Sequence, residues 1–334
     1  QAIGASVRNF GFVTVTGQEA GETWRRALRT RDVWDEVAPR AGIAIEQRGL
    51  LVAARRPEAM AVLEAFAAGD MGADCALLGR AEATARVPAL RAEALEGALW
   101  SPHERRVESR SAIPRLARWL EAAMGVTIHR ATHVHAAGGG RLETSRGRFT
   151  AARIVVCPGD ERLALFPERF GALGIGRVRL HMMKVMPAAP APHLSAAVMS
   201  DLSLVRYLGW AALPAAEALA RRLEREEAGK LAQGIHLIAV QGADGGLVVG
   251  DSHHHEPAPS PFAADHVDAL ILAELDAVLD LGARRVVERW QGTYAHLPDR
   301  RCVIDAPAPN TRLVVVTSGT GASTAFAIGE EVIQ

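Results

Sequence analysis

The 334-residue sequence is poor in most of the features that announce a function at once. Its three cysteines, Cys75, Cys157 and Cys302, form no CxxC pair and are odd in number, which argues against a disulfide framework or a structural zinc site. A reducing, cytoplasmic setting fits that usage. Formal net charge is +0, from 38 basic and 38 acidic residues, so no global field draws in nucleic acid or an anionic membrane, and neither is expected as a partner. No run of about 18 apolar residues is long enough to cross a bilayer, and nothing at the start resembles a signal peptide. Also missing is a GxGxxG turn after a first strand with an acidic residue closing a second, the usual mark of dinucleotide binding. The chain lacks an initiator Met and stops inside the helical pattern AIGEEVIQ, so both ends read as cut.

What remains is an ordinary globular composition, 49% hydrophobic and 23% charged, with room for one large domain or two smaller ones. Apolar periodicity predicts helices over 20–41, from Pro57 to Ala68, in GRAEATARV and over 109–124, the last with Pro114 tolerated in its first turn. IAIEQRGLLVAA (43–54) reads as a short hairpin-like pair of strands. Residues 126–149 read as a meander turning at Gly138–Gly140 and Gly147, feeding the apolar strand ARIVVCPGD (152–160). From Arg177 the texture changes to alternating strands, RVRLHMMKV, LVRYLGW, GIHLIAVQ and GLVVGDSHHH, with helices near 215–232 and 265–281. MPAAPAPHL (186–194) reads as a long exposed loop, and Trp100, Trp210 and Trp290 as core.

Three strand ends share one character. GASVRNFG near the start, IVVCPG in the middle and VVVTSGTGAS near the end each set small residues beside an apolar run. Such turns free backbone N–H groups and, at a helix start, the positive end of the dipole. At the C-terminal edge of one sheet they converge on a ligand.

In this order the three stretches resemble the flavoprotein family of D-amino acid oxidase, glycine oxidase and sarcosine oxidase. The resemblance implies an α/β (α+β) fold: a Rossmann-like FAD-binding domain (1–19, 98–170, 298–334) with an inserted antiparallel-sheet substrate domain (20–97, 171–297). It also implies that about 35 to 40 residues, a GxGxxG βαβ unit, precede Gln1. Carried over residue by residue, Ala5 and Ser6 approach the FAD pyrophosphate and ribityl chain, and Asn9, Phe10 and Gly11 line the flavin. Val134 meets the adenine through its backbone, and Cys157, Pro158 and Gly159 pass under the ADP half. Gly319, Thr320, Gly321, Ala322 and Ser323 offer N–H groups to the pyrimidine end of the ring.

One place departs from the family. Members often carry an Arg shortly before a TPD-like segment to grip a carboxylate, whereas here WQGTYAHLPDRR (290–301) has Tyr294 and His296 but no Arg before Pro298-Asp299. No cysteine there matches the covalent-flavin cysteine of sarcosine oxidases, so FAD is expected to be noncovalent. Candidates for a replacement anion site, and for substrate contact, are Arg206, Tyr207, His253 and His296, with Phe10 beside them. Arg206 reads either as an exposed strand charge or as a planar fork for phosphonate or carboxylate. His181 and Lys184 fall on opposite strand faces, so both cannot enter one pocket. Asp251, His253 and His255 alternate onto one face as metal ligands do, but no second acid-histidine cluster accompanies them, so a pocket rim or loop and substrate contact are both favoured over a metal site.

The implied activity is FAD-dependent oxidation of a small amine, with His254 or Tyr294 assisting and oxygen or another electron acceptor as partner. The ASVRNFG and GDSHHH stretches resemble a subgroup tied to aminophosphonate breakdown, which points to 2-aminoethylphosphonate or its N-methyl derivative. The alternatives are a flavin dehydrogenase serving a partner, or a truncated chain that holds no FAD.

Overall fold

The computed structural model describes residues 3–188, 193–256 and 258–334; the central residues of the 186–194 segment lie outside these. A 3-10 turn, Ala5–Val7, and the short strand β1 (Phe12–Val13) precede the long helix α1 (Glu22–Arg40). There follow β2 (Ile45–Ala54), α2 (Pro57–Ala67), β3 (Ala76–Gly79), α3 (Arg80–Arg86), β4 (Gly97–Val107) and α4 (Ser109–Met124). The meander β5 (Val134–Gly138), β6 (Arg141–Thr144) and β7 (Gly147–Thr150) leads to β8 (Ile154–Val156) and α5 (Pro167–Leu173). Next come β9 (Gly176–Pro187), β10 (Ala197–Ser200), α6 (Leu208–Ala211), α7 (Ala216–Glu226) and α8 (Ala228–Ala232). Strands β11 (Ile238–Gln241), β12 (Leu247–Gly250) and β13 (His254–Glu256) precede α9 (Asp265–Val278). The chain ends with β14 (Arg284–His296), β15 (Cys302–Ala308), β16 (Thr311–Val316) and α10 (Gly321–Ile333).

Ten strands form one large sheet, ordered β1-β4-β2-β10-β11-β12-β9-β13, with β14 also beside β9 and β3 beside β4. Its pairs are antiparallel except β2 with β10. Strand alternation sends Leu50, Val52, Met182 and Met199 into a core under α2, α6 and α7, and Leu51, Met183 and Val198 into a second core under α9. The sheet includes β4, so it runs past residue 98, where the sequence places a domain boundary.

A second sheet, β15-β16-β8, holds the parallel pair β8 and β16. Because these run the same way, Cys157-Pro158-Gly159 and the Ser318–Gly321 turn leave from one edge, the convergence expected of a binding crevice.

Two local expectations are corrected. Residues 43–54 are not a hairpin: β2 is one strand with a bulge at Gly49, whose φ of 82° and whose missing Cβ, 2.4 Å from the Trp100 ring, make it a twist point rather than a turn. LVRYLGW is not a strand either. Asp201–Val205 is a 3-10 helix running into α6, and Gly209 comes so close to the Gly17–Gln18 backbone that its N–H reaches the Gly17 carbonyl at 2.9 Å. Of the tryptophans, Trp210 is fully buried, while Trp100 and Trp290 are partly so.

Buried charge holds that 3-10 turn. The Asp201 carboxylate, with a side chain 0% exposed, accepts from Arg55 Nη2 at 3.1 Å and Arg56 Nη1 at 2.9 Å, and Arg55 also reaches Glu274 at 2.6 Å. Removing one member of such a set leaves the others desolvated and unpaired. Asp201→Ala is therefore expected to cost about 3–5 kcal/mol, read as a lowered urea midpoint.

Candidate active site

The crevice edge is built from backbone. Thr14 N–H donates to Ser323 Oγ at 2.8 Å, fastening the opening segment to α10, and Ser109 Oγ reaches the Val7 carbonyl at 3.4 Å, fastening the first turn to α4. Helix α10 begins without a side-chain cap, so its leading N–H groups and dipole face the turn itself. Ser318 and Thr320 bond to each other through their hydroxyls at 2.7 Å, and Thr317 and Ser318 to the Arg300 and Arg301 carbonyls, which holds the turn rigid.

Strand β14 then carries side chains to this edge. Its Trp290 Nε1 donates to the Arg8 carbonyl at 3.1 Å, and just past its end Leu297 N–H donates to the Thr317 carbonyl at 3.1 Å. Tyr294 lies against Gly319, whose missing Cβ falls 3.6 Å from the phenol oxygen. The Tyr294 ring centroid is 6.3 Å from that of His253, and the His296 and His255 rings meet edge-on at 4.4 Å.

Arg206 stands among these rings, close enough to Tyr294 for its charge to act on the phenol. Its charge acts on Tyr207, His253, His255, Tyr294 and His296, and among the described residues no carboxylate forms an ion pair with it. Burial, reinforced by His255, Arg301 and Arg206, pushes His296 down to about 4, and burial and Arg206 likewise lower His253 and His255. Burial also lifts the Tyr294 phenol to about 12, with Arg206 opposing. At neutral pH the wall is thus one arginine among uncharged rings.

The structure brings together Arg206, Tyr207, His253, Tyr294 and His296, but not His254. Strand alternation turns His254 to the other face, where its ring lies 5.6 Å from His181 and its Nε2 3.1 Å from Ser252 Oγ. His181 pairs with Asp268 at 3.0 Å and Lys184 with Asp244 at 2.5 Å, on the opposite sides their spacing requires. Asn9 spends its amide locally, donating to Ala5 and Ser6 carbonyls and accepting from Gly11 N–H at 2.7 Å, so it shapes the turn. Phe10 is buried in the main core beside Gly250, and Ser323 is 2% exposed with its hydroxyl on Thr14. Ala5, Ser6, Cys157 and Gly159 are exposed, Val134 and Pro158 half-buried.

One residue escaped sequence reasoning. His236, after α8, stacks on His253 with centroids 5.3 Å apart, and its Nε2 lies 3.0 Å from Asp251 Oδ1. The signal was a lone histidine before an apolar strand, which only the β11–β12 register sets opposite Asp251.

A family model described as DAO, FAD dependent oxidoreductase, matches residues 1–334. The chain belongs to the DAO family of FAD-dependent oxidoreductases. No curated protein matches it. Among solved structures, glycine oxidase from Geobacillus kaustophilus is similar at a TM-score of 0.74 and 19% identity, covering 100% of this chain and 84% of that one. Iminodiacetate oxidase from Chelativorans sp. BNC1 is similar at 0.69 and 16%, covering 98% and 84%. L-alpha-glycerophosphate oxidase from Mycoplasma pneumoniae, a structure with FAD bound, is similar at 0.72 and 13%, covering 98% and 84%. These likenesses establish the fold of this DAO-family chain.

The residues fit the FAD that the family requires. A Cβ built on Gly4, Gly159 or Gly321 meets no protein atom within 4 Å, so all three strand-end turns of this DAO-family protein present bare backbone outward. Gly321→Val is expected to leave the thermal transition of the cofactor-free protein unchanged while weakening FAD retention about tenfold or more, since about 1.4 kcal/mol of lost contact is a factor of ten. Flavin fluorescence titration checks this.

Proposed function

We propose that this DAO-family enzyme oxidises the C–N bond of a small amine that carries an anionic group, an aminophosphonate such as N-methyl-2-aminoethylphosphonate, to an imine that hydrolyses, with oxygen as acceptor. The observation that carries the reading is Arg206: a cation without a carboxylate partner among the described residues, acting on Tyr294 beside the glycine turn. A guanidinium left in that state is matched by a ligand anion, which it can grip through two parallel N–H bonds. The glycine oxidase and iminodiacetate oxidase names of similar structures support an amine substrate.

FAD, when bound, supplies the two-electron acceptor. The protein's part is to orient and to exclude water. Arg206 binds the anion, Tyr294 keeps its proton and donates to the same anion, and the uncharged His255–His296 pair forms the wall behind it. The α10 start and the Ser318–Ala322 turn favour negative charge at their edge. An alkyl amine with a pKa near 10 must lose its proton before its nitrogen can assist, and a site whose fixed charge is positive favours that loss.

Noncovalent attachment is part of the proposal. Burial pushes the Cys302 and Cys75 thiols up to about 11, which makes both poor nucleophiles at neutral pH.

The test is anaerobic mixing of the FAD-loaded protein with N-methyl-2-aminoethylphosphonate. Bleaching of the flavin bands is expected, and Arg206→Gln should raise KM for the phosphonate about tenfold or more, the loss of a charged hydrogen bond worth about 1.5–3 kcal/mol. Bleaching by glycine or sarcosine with none by any aminophosphonate overturns the substrate assignment.

A further inference from the structure

Behind the proposed pocket, His236, Asp251 and His253 offer three ligand atoms that all lie within 4.8 Å of one another. Their backbones are pinned for it. Asp251 N–H donates to the His236 carbonyl at 3.0 Å, His236 N–H returns the bond to Asp251 at 3.3 Å, and His253 N–H donates to the Gln233 carbonyl at 3.0 Å. Each imidazole also has its other nitrogen engaged: His253 Nδ1 stands 3.2 Å from the Gly234 carbonyl, and His236 Nδ1 3.3 Å from Ser203 Oγ. That second contact fixes the His253 tautomer with its hydrogen on Nδ1 and orients both rings, leaving Nε2 of His253 a bare acceptor, the arrangement in which histidines ligate metal.

Both Nε2 atoms point at one carboxylate, His236 at 3.0 Å from Oδ1 and His253 at 3.7 Å from Oδ2. Asp251 is 5% exposed, and its Oδ1 has no hydrogen-bond partner, because the His236 ring approaches it out of alignment. No lysine or arginine pairs with this carboxylate among the described residues. Two imidazole nitrogens and a carboxylate bound to one ion at about 2.0–2.2 Å stand roughly 3–4 Å apart, and both nitrogen–carboxylate distances, 3.0 and 3.7 Å, fall in that range.

We propose that His236, Asp251 and His253 form a binding site for a divalent transition-metal ion of the zinc class, with two histidines and one carboxylate as protein ligands. A buried carboxylate facing the bare Nε2 lone pair of His253 is otherwise a costly arrangement, and a cation among the three groups satisfies them at once. Arg206, whose charge acts on His253, opposes a positive charge there, and the Asp251 carboxylate is the group that offsets it. The ion adds a side-chain clamp to three segments already joined through their backbones: the link from α8 to β11, the end of β12 and the start of β13. Through Ser203 it also touches the 3-10 turn that presents Arg206.

The experiment uses the FAD-loaded, full-length protein, stripped with a chelator and dialysed against Co²⁺. The wild type is expected to retain about one cobalt per chain, with absorption on the long-wavelength side of the flavin bands, and to gain thermal stability from added Co²⁺ or Zn²⁺. Asp251→Asn and His236→Gln are expected to lose the retained cobalt and the thermal gain, whereas His255→Ala, which keeps all three ligands, retains both. If either ligand variant fails to fold, the wild-type cobalt stoichiometry decides alone. A wild type that retains no cobalt overturns the proposal, since the three groups then share only a proton. Equal retention by wild type and the folded ligand variants overturns it as well. Neither outcome bears on the amine substrate, which flavin bleaching reads separately.

Discussion

The pairing of β14 with β9 is the contact on which the rest of this molecule depends. It runs without interruption from Glu288 opposite Lys184 to His296 opposite Gly176, and is long enough to span the distance between the large sheet and the glycine turn. Because side chains alternate along β14, the residues at its far end are delivered in a fixed order: Tyr294 against Gly319, then His296 against His255. A slip of one residue turns both rings to the opposite face, and the bulge between Val286 and Glu288 sits at the other end, where no site residue is affected. The same strand holds the opening turn through Trp290 and the closing turn through Leu297. The cofactor edge and the proposed substrate wall are therefore two surfaces of one ladder.

Buried charge does in the large sheet what hydrogen-bonded backbone does at the crevice. Glu104, 0% exposed, accepts the N–H groups of Val15 and Thr16 at 3.2 and 2.7 Å, so a strand of only two residues still has its following backbone satisfied. Asp201 does likewise for the Arg55 N–H at 3.1 Å while drawing in both arginines. Each carboxylate sits at the base of a segment too short to hold itself by regular hydrogen bonding, and the Asp201 segment leads to Arg206. Ionic contacts thus remove conformational freedom at the 3-10 turn before Arg206, which is too short to be held by its own hydrogen bonds.

This also explains what could be read in advance. The long helices α1, α4 and α10 were legible because an apolar stripe and a start or stop residue each say the same thing, and the two glycine turns after apolar strands were legible because parallel strands of one sheet must end together. LVRYLGW was misread because alternation of Leu204, Arg206 and Leu208 satisfies a strand pattern, while the cause of the turn, Asp201 pulling on Arg55 and Arg56, is some 145 residues away in sequence. Gly49 carried a bulge whose sign is visible only against Trp100. His254 was taken for a pocket residue from a run of three histidines, where alternation allows only two to face one way. His236 gave only the signal of a lone histidine before an apolar strand, since its meaning comes from the β11–β12 register.

Electrostatics in the proposed pocket follow from how few of its groups carry charge. His253, His255 and His296 are all held below their ordinary range, mainly by burial, and Tyr294 above its own. Four titratable rings thus contribute dipoles and hydrogen bonds at neutral pH but no net charge; Arg206 acts on all four, joined by Arg301 at His296 and opposed by Asp251 at Tyr294. A guanidinium in poorly solvated surroundings attracts an anion more strongly than an exposed one does, and it discriminates by geometry because its N–H groups point in fixed directions. Two of those directions suit any carboxylate; a third oxygen, as on a phosphonate, needs another donor nearby. The Tyr294 hydroxyl, kept protonated and already beside Arg206, is placed to be that donor, so preference between the two anions turns on a phenol rather than on a second cation.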